Sequence, residues 1–466
     1  MKRVIAAVVT CILVSSACSS SESAVRAADS RPLLRAELQR VDGGEATPIV
    51  LDNVEVLLGQ MSTEQKVGQL FIPVVAGLHP TEVSEEDRAR NVAVFGFETP
   101  AEIIENYQLG GVMYLAPNVD GVDQVESFTA GLQEVAEEST VPLLVAIDQE
   151  GGRVNRITSG VTVAPSAAEL SGDADRVREA SNTTAAEVQE LGVNVVLAPV
   201  ADLSAASDPG VIGNRSFGED PEVTGEMVAA AVQGLQGPGV AAAVKHWPGH
   251  GATDIDSHES KPSVLVSKPL WDTRERIPFE AAIEQDVEIV LVGHLSFPEF
   301  APDNRVATVS DYLIEDLLRT ELNFDGVVMS DALNMGAVAD IPQSELGVQS
   351  IEAGMDMLLY PENMGAMYQG VMTAVESGRI SEERLNESVL RILRLKSSLG
   401  LLEGFELPPA EDQSDEAVEA APNPSGDDPD PETPAPPATV AGVAPPEEDQ
   451  AGTGRAPSST SIEPGT

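Results

Sequence analysis

The chain has 466 residues, 42% of them hydrophobic, which allows one large domain or two ordinary ones around a substantial core. Its 76 acidic against 27 basic residues leave a formal charge of −49, which argues against nucleic acid or an anionic membrane surface as a charge-driven partner. Aromatic residues make up only 4%, too few for a long stacked polysaccharide groove.

The N-terminus reads as targeting sequence. Lys2 and Arg3 precede an apolar run at 4–14, too short to span a bilayer as a mature helix. Ser15-Ser16-Ala17-Cys18 follows, which resembles a bacterial lipoprotein signal except that Ser15 stands where an aliphatic residue is usual. We expect a signal peptide at 1–17, with a diacylglycerol on Cys18 tethering the protein to the outer face of a membrane; plain secretion is the alternative. Cys11 would leave with the signal, so no intrachain disulfide is expected. Residues 18–50 read as a tether. At the other end, 406–466 reads as a disordered acidic, proline-rich tail. From Glu411 onward it holds thirteen acidic residues, eleven prolines, Arg455 as its one basic residue and no aromatic residue, a composition that cannot offset ordering entropy by burial.

Between them, 51–405 alternates. Apolar runs rich in Val, Ile and Leu occur at 67–75, 111–115, 141–147, 193–200, 240–244, 287–292, 326–329 and 356–360. They are nearly continuous in apolar residues, as expected of parallel strands covered on both faces. Helix-like segments lie between them at 123–138, 173–191, 221–235, 272–284 and 310–322, and a last one at 381–399 closes the domain. The pattern predicts an α/β fold with a single (β/α)8 TIM-type barrel; a doubly wound open sheet is the runner-up. His79, in a polar insertion at 76–99, is expected to be solvated.

Ionisable residues follow the strands: Asp148 and Glu150 after Ile147, Asp202 after Val200, Lys245 and His246 after Val244, His294 after Val292, and Asp331 after Met329. That end of a barrel is where active sites are built. Any one of these aspartates, taken alone and Asp331 included, reads more readily as a helix cap or a solvated loop residue; five strands ending this way strengthen the reading as a site.

The densest stretch is 245–258, which holds three of the five histidines. Pro248 and Gly249 interrupt any helix there, so His246 and His250 do not form a helical i, i+4 metal pair. A metal site with His258, Asp254 and Asp256 is therefore disfavoured, and no metal or cofactor is expected. Asp256 and His258 are two apart, which in an extended loop places them on one side. A carboxylate there would raise the imidazole pKa and fix its tautomer, suiting general acid–base work. His250 is expected to hydrogen-bond loop backbone. His294 could line a pocket or satisfy a strand end, and Trp247 could stack on a ligand or pack beneath the loop. Glu150 is an alternative catalytic carboxylate, although the glycines after it suggest that it braces a tight turn.

The motifs Met61–Phe71, Asp148–Arg156, Asn214–Pro221, Lys245–His258 and Gly326–Met335 together resemble bacterial β-N-acetylglucosaminidases of glycoside hydrolase family 3. The resemblance covers about 60–400. It implies retaining hydrolysis with Asp331 as nucleophile, His258 as acid/base and Asp256 orienting His258. Asp148, Arg156, Arg215, Lys245 and His246 would bind a terminal N-acetylglucosamine of peptidoglycan fragments or related oligosaccharides. Histidine in place of a second carboxyl departs from the usual two-carboxylate scheme. It is also compatible with a phosphorylase, because imidazole does not repel phosphate. A β-glucosidase and a non-catalytic sugar-binding lipoprotein are the remaining alternatives. A monomer is expected.

Overall fold

The computed structural model describes residues 53–204, 211–253 and 255–407. The expected segments 1–17 and 18–50, Cys18, and all but the first two residues of the 406–466 tail lie outside them, as does Asp254. No helix among the described residues is long and apolar enough to cross a membrane.

Among the described residues, ten strands occur in chain order: β1 (Phe71–Ile72), β2 (Gly111–Tyr114), β3 (Leu144–Ile147), β4 (Gln149–Gly151), β5 (Val154–Asn155), β6 (Val195–Val196), β7 (Ala241–Trp247), β8 (Ile289–Val292), β9 (Val327–Ser330) and β10 (Leu358–Leu359). Six of them form one parallel sheet in the order β2-β3-β6-β7-β8-β9, and β1 pairs in parallel with β10. Helices connect the consecutive parallel strands, as in a TIM-like (β/α) barrel, with the β4–β5 hairpin inserted after β3. The continuous apolar runs are explained by this arrangement: β2, β3, β7, β8 and β9 are buried at every position.

Several boundaries differ from the sequence reading. The run at 67–75 begins inside the helix Thr63–Gly68, because Ser62 and Gln65 form a reciprocal capping box that commits the segment to a helical turn. Regular pairing in that run is confined to β1. In the run at 193–200 the ladder covers only β6, with an isolated bridge from Val200 to Lys245. The insertion at 76–99 contains the helix Glu85–Phe95, capped by Ser84 and ended by Gly96 at φ 82°. The first turns of that helix are charged, with Glu85, Glu86, Asp87, Arg88 and Arg90, so hydrophobic periodicity does not reveal it. His79 is exposed, and its Nδ1 accepts from the Thr81 and Glu82 amides. The segment 310–322 is wound with π-type hydrogen bonding over Tyr312–Glu321; we have no physical account of that choice.

The last helix, Glu382–Ser398, is fastened to the N-terminal ends of the strands. The fully buried Asp356 carboxylate accepts from Ser388 Oγ at 2.7 Å, Arg391 Nη1 at 3.2 Å, Arg319 Nη2 at 2.5 Å and the Val328 amide at 3.0 Å. Lys396, also fully buried, donates to Gln69 Oε1 at 2.6 Å. Burial, with no carboxylate partner among the described residues, pushes the Lys396 amine well below the usual lysine range, so its neutral form is favoured there.

Glu288, just before β8, gives a stability prediction. Burial raises its carboxyl to about 7, with the Ala242 amide only partly opposing the shift. Its folded pKa lies above the ordinary 4.5, so its contribution is present in full below about 4.5 and is lost as pH rises through 7. Glu288→Gln is expected to raise stability by ~1 kcal/mol at pH 8, after allowing for solvent screening, and to change little at pH 4.5. Thermal melts at the two pH values check this; an equal shift at both would refute it.

Candidate active site

Strand order brings the charged strand ends together. Because β3 neighbours β6 and β6 neighbours β7, the residues at the C-terminal ends of these strands, with Lys245 and His246 still inside β7, share one wall of the barrel mouth. Lys245 is 3% exposed, and its ammonium lies 2.9 Å from Asp148 Oδ1 and 2.6 Å from Glu150 Oε1. Arg156 Nη2 donates to Asp148 Oδ2 at 2.9 Å, and Arg215 grips Glu150 with two bonds of 2.8 and 2.7 Å. Glu150 reaches the network because β4 and β5 form a hairpin around Gly151 and Gly152, at φ 96° and 56°. A Cβ on Gly152 would lie 2.6 Å from Ser166 Cβ, so this tight turn has no room for a side chain. Glu150 does not brace the turn as expected: its carboxylate pairs with Arg215 and Lys245 on other parts of the chain.

Burial alone would raise both carboxyl pKa values. Lys245 and Arg156 instead hold Asp148 well below the usual range, and Arg215 and Lys245 bring Glu150 down to about 2. Burial disfavours the Lys245 ammonium, yet the two carboxylates raise its pKa. Asp148, Glu150, Lys245 and Arg215 are therefore ionised at neutral pH and present fixed donors and acceptors.

His246 stands beside this patch. Its Nδ1 donates to Asp202 Oδ2 at 2.6 Å, which leaves Nε2 available. Asp202 has no exposed side-chain surface, and it also accepts the His250 amide at 2.6 Å. The sequence reading marked Asp202 only as a strand-end residue and did not assign it to the site; its position after Val200 was the available signal. His250 departs from its expectation: its Nε2 meets the Ser257 hydroxyl at 3.2 Å rather than backbone, and burial lowers its pKa.

Asp331 follows β9 and is half-buried. Burial would raise its pKa, but His246, His294, the Ala332 amide and His258 together lower it, so the carboxylate is the stable form. The Ala332 amide donates to its Oδ1 at 2.8 Å. His294 is fully buried and takes the second of the two roles open to it, satisfying backbone just past the end of β9. Its Nε2 lies 2.9 Å from the Ala332 carbonyl, which can only accept, so Nε2 carries the proton and Nδ1 accepts from Thr308 Oγ1 at 2.6 Å. Ala332, next to Asp331, is thereby held at both its amide and its carbonyl.

Asp256 and His258 form the pair expected of them, but not in an extended loop. Asp256 Oδ1 accepts from His258 Nδ1 at 2.8 Å and from the His258 amide at 2.9 Å, while its carbonyl accepts the Glu259 amide. The segment is a turn nucleated by the aspartate side chain, a habit of Asp that competes with extended backbone. The His258 side chain is 67% exposed. Trp247 packs under the loop, edge-on to Trp271 and Phe279, with its Nε1 donating to the Leu313 carbonyl. It is fully buried and cannot stack on a sugar. No group of His, Cys, Asp and Glu arranged to hold a metal occurs among the described residues.

Residues 62–395 match the model of the glycosyl hydrolase family 3 N-terminal domain. The chain belongs to glycosyl hydrolase family 3. Among family relatives, it is 31% identical over 379 residues to a beta-N-acetylglucosaminidase/beta-glucosidase of Cellulomonas fimi, covering 78% of this chain but 63% of that protein. It is 31% identical over 335 residues to the beta-hexosaminidase LpqI of Mycobacterium tuberculosis strain ATCC 25618 / H37Rv, covering 68% of this chain and 84% of that one. The solved family 3 beta-N-acetylglucosaminidase of Paenibacillus sp. str. FPU-7 superposes with a TM-score of 0.68 at 39% identity, covering 76% of this chain and 65% of that one. The chain thus spans less than two thirds of the Cellulomonas and Paenibacillus proteins.

Proposed function

We propose that this chain is a retaining exo-β-N-acetylglucosaminidase that removes a terminal non-reducing N-acetylglucosamine from peptidoglycan fragments or related oligosaccharides. The observation that carries the reading is the pairing of an ionised, histidine-flanked Asp331 with an Asp256–His258 pair on a loop fastened beside it through the Gly336 and Ala337 amides. Family membership and the names of the relatives support the same substrate class.

In the first step an Asp331 oxygen bonds to the anomeric carbon, and the glycosidic oxygen departs with the proton from His258 Nε2. In the second, His258 takes a proton from water, the water oxygen bonds to the anomeric carbon, and Asp331 leaves as carboxylate. Asp256 occupies Nδ1 and so keeps Nε2 for the reacting oxygens. Asp148, Arg156, Arg215, Lys245 and His246 hold the terminal sugar. In this reading β1–β3 and β6–β10 close as one (β/α)8 barrel; the Met113 amide bonded to the Pro73 carbonyl and the Met329–Met357 bridge support that closure. The signal peptide and lipidated Cys18 would place the enzyme outside the cytoplasm, anchored to the membrane.

The test is release of 4-nitrophenol from its N-acetyl-β-glucosaminide and of N-acetylglucosamine from muropeptides. A protein inactive on both overturns the proposal. A second reading, phosphorolysis, is favoured by one observation: the acid/base candidate is an exposed imidazole, which does not repel a phosphate dianion. Assays with and without phosphate separate the two, because only phosphorolysis yields a sugar 1-phosphate.

A further inference from the structure

The loop carrying Asp256 and His258 is fixed at its base and near its tip by different parts of the chain. At the base, the His250 amide is bonded to Asp202, and Gly251 is pressed so closely on the Leu203 carbonyl that a side chain there is excluded. Near the tip, the Gly336 amide donates to the His258 carbonyl at 3.0 Å and the Ala337 amide to the Ser257 carbonyl at 3.1 Å. These donors open the short 3-10 turn Gly336–Val338, where the first amides have no partner within the turn.

The same segment begins at Asp331. It is anchored by the Leu333 amide to the Leu359 carbonyl at 2.9 Å and by Gln343 Nε2 to the Leu333 carbonyl at 2.9 Å. Asp331 and the seat of His258 therefore belong to one braced piece of backbone, Asp331–Ala337. The fit at Gly336 is crowded: a Cβ there would lie 2.7 Å from the His258 carbonyl oxygen and 2.6 Å from that of Glu259. Its φ lies outside the left-handed region, so the requirement for glycine is one of space and not of backbone conformation.

We propose that Gly336 is a positioning residue that seats the His258 loop against the nucleophile segment and sets the separation of the two reacting groups. The proposal rests on the reading of His258 as acid/base and Asp331 as nucleophile. A methyl group at 336 pushes the His258 carbonyl, and the imidazole with it, off its seat while leaving Asp331 and the sugar-binding wall in place. The first chemical step then loses proton donation more than nucleophilic attack.

The experiment compares wild type and Gly336→Ala on aryl N-acetyl-β-glucosaminides of graded leaving-group acidity. We expect kcat/KM to fall by about 10–100-fold for the phenyl glycoside, and by no more than about threefold for the 2,4-dinitrophenyl glycoside, which needs little protonation. Labelling of Asp331 by a 2-acetamido inactivator with a good leaving group should proceed at nearly the wild-type rate. An equal loss for every leaving group, or no loss for any, overturns the proposal. Hydrogen exchange on the wild type supplies a readout independent of turnover: the Gly336 and Ala337 amides should be protected, and Gly336→Ala should reduce protection at 337. Amides that exchange freely in the wild type refute the dock. A wild type with protected amides that turns over no glycoside instead refutes the enzymatic reading and leaves the dock standing.

Discussion

Replacing Asp331 by asparagine is expected to lower kcat by at least about 10³-fold, the scale seen when a covalent nucleophile is removed. The amide is isosteric and keeps the oxygen that accepts the Ala332 amide, so the local turn should persist. It is neutral, however, and cannot form the glycosyl ester. The carboxylate is already the stable form because His246, His294 and the Ala332 amide outweigh burial. Its titration should therefore place the acidic limb of kcat/KM in the wild type below the ordinary carboxylate range. The melting temperature of Asp331→Asn should stay within a few degrees of wild type at pH 7. Mass spectrometry of wild type trapped with a 2-acetamido sugar inactivator should find the label on Asp331, and Asp331→Asn should remain unlabelled. Near-wild-type turnover by the variant, or a label on Glu150, would remove Asp331 from the nucleophile role.

The second large effect is expected at Lys245. Lys245→Met keeps the length of the side chain but leaves Asp148 and Glu150 facing each other with only Arg156 and Arg215 to compensate. Removing one partner from a buried charge cluster costs ~3–5 kcal/mol, much of it from the carboxylates left without a counter-charge. The sign of the pH effect follows from the shifts. Asp148 and Glu150 titrate below their ordinary values, so their stabilisation is present above about pH 4.5 and is lost as pH falls through the folded pKa values, near 2 for Glu150. Without Lys245 those values rise, and acid unfolding should move to higher pH. Binding of N-acetylglucosamine should weaken by at least about tenfold, the equivalent of one charged hydrogen bond. Urea melts from pH 3 to 8 and a calorimetric titration with the sugar measure both effects. Unchanged acid stability with normal sugar binding would show that the ammonium contributes neither.

The legible part of the site was the part carried by local pattern. Continuous apolar runs require burial on both faces, and several of them ending in ionisable residues point to the barrel mouth; Asp148, Lys245, His294 and Asp331 are marked by that pattern, although any one aspartate alone could cap a helix. Asp256 and His258 were recognisable as a pair because two residues of spacing bring any carboxylate and imidazole within reach. The turn that joins them was misread because the aspartate side chain competes for the His258 amide, a choice that alternation of side chains does not reveal.

What the chain determined by itself was therefore the inventory of reactive groups and the end of the fold on which they gather. The tertiary structure decided who holds whom. Lys245 meets Asp148 across 97 residues and His246 meets Asp202 across 44, because β3, β6 and β7 are neighbours in the sheet and no local rule encodes that order. The seat of His258 on Gly336 depends on the same long-range packing, since hydrogen bonds between loops follow from where the barrel strands place them rather than from the residues that make them.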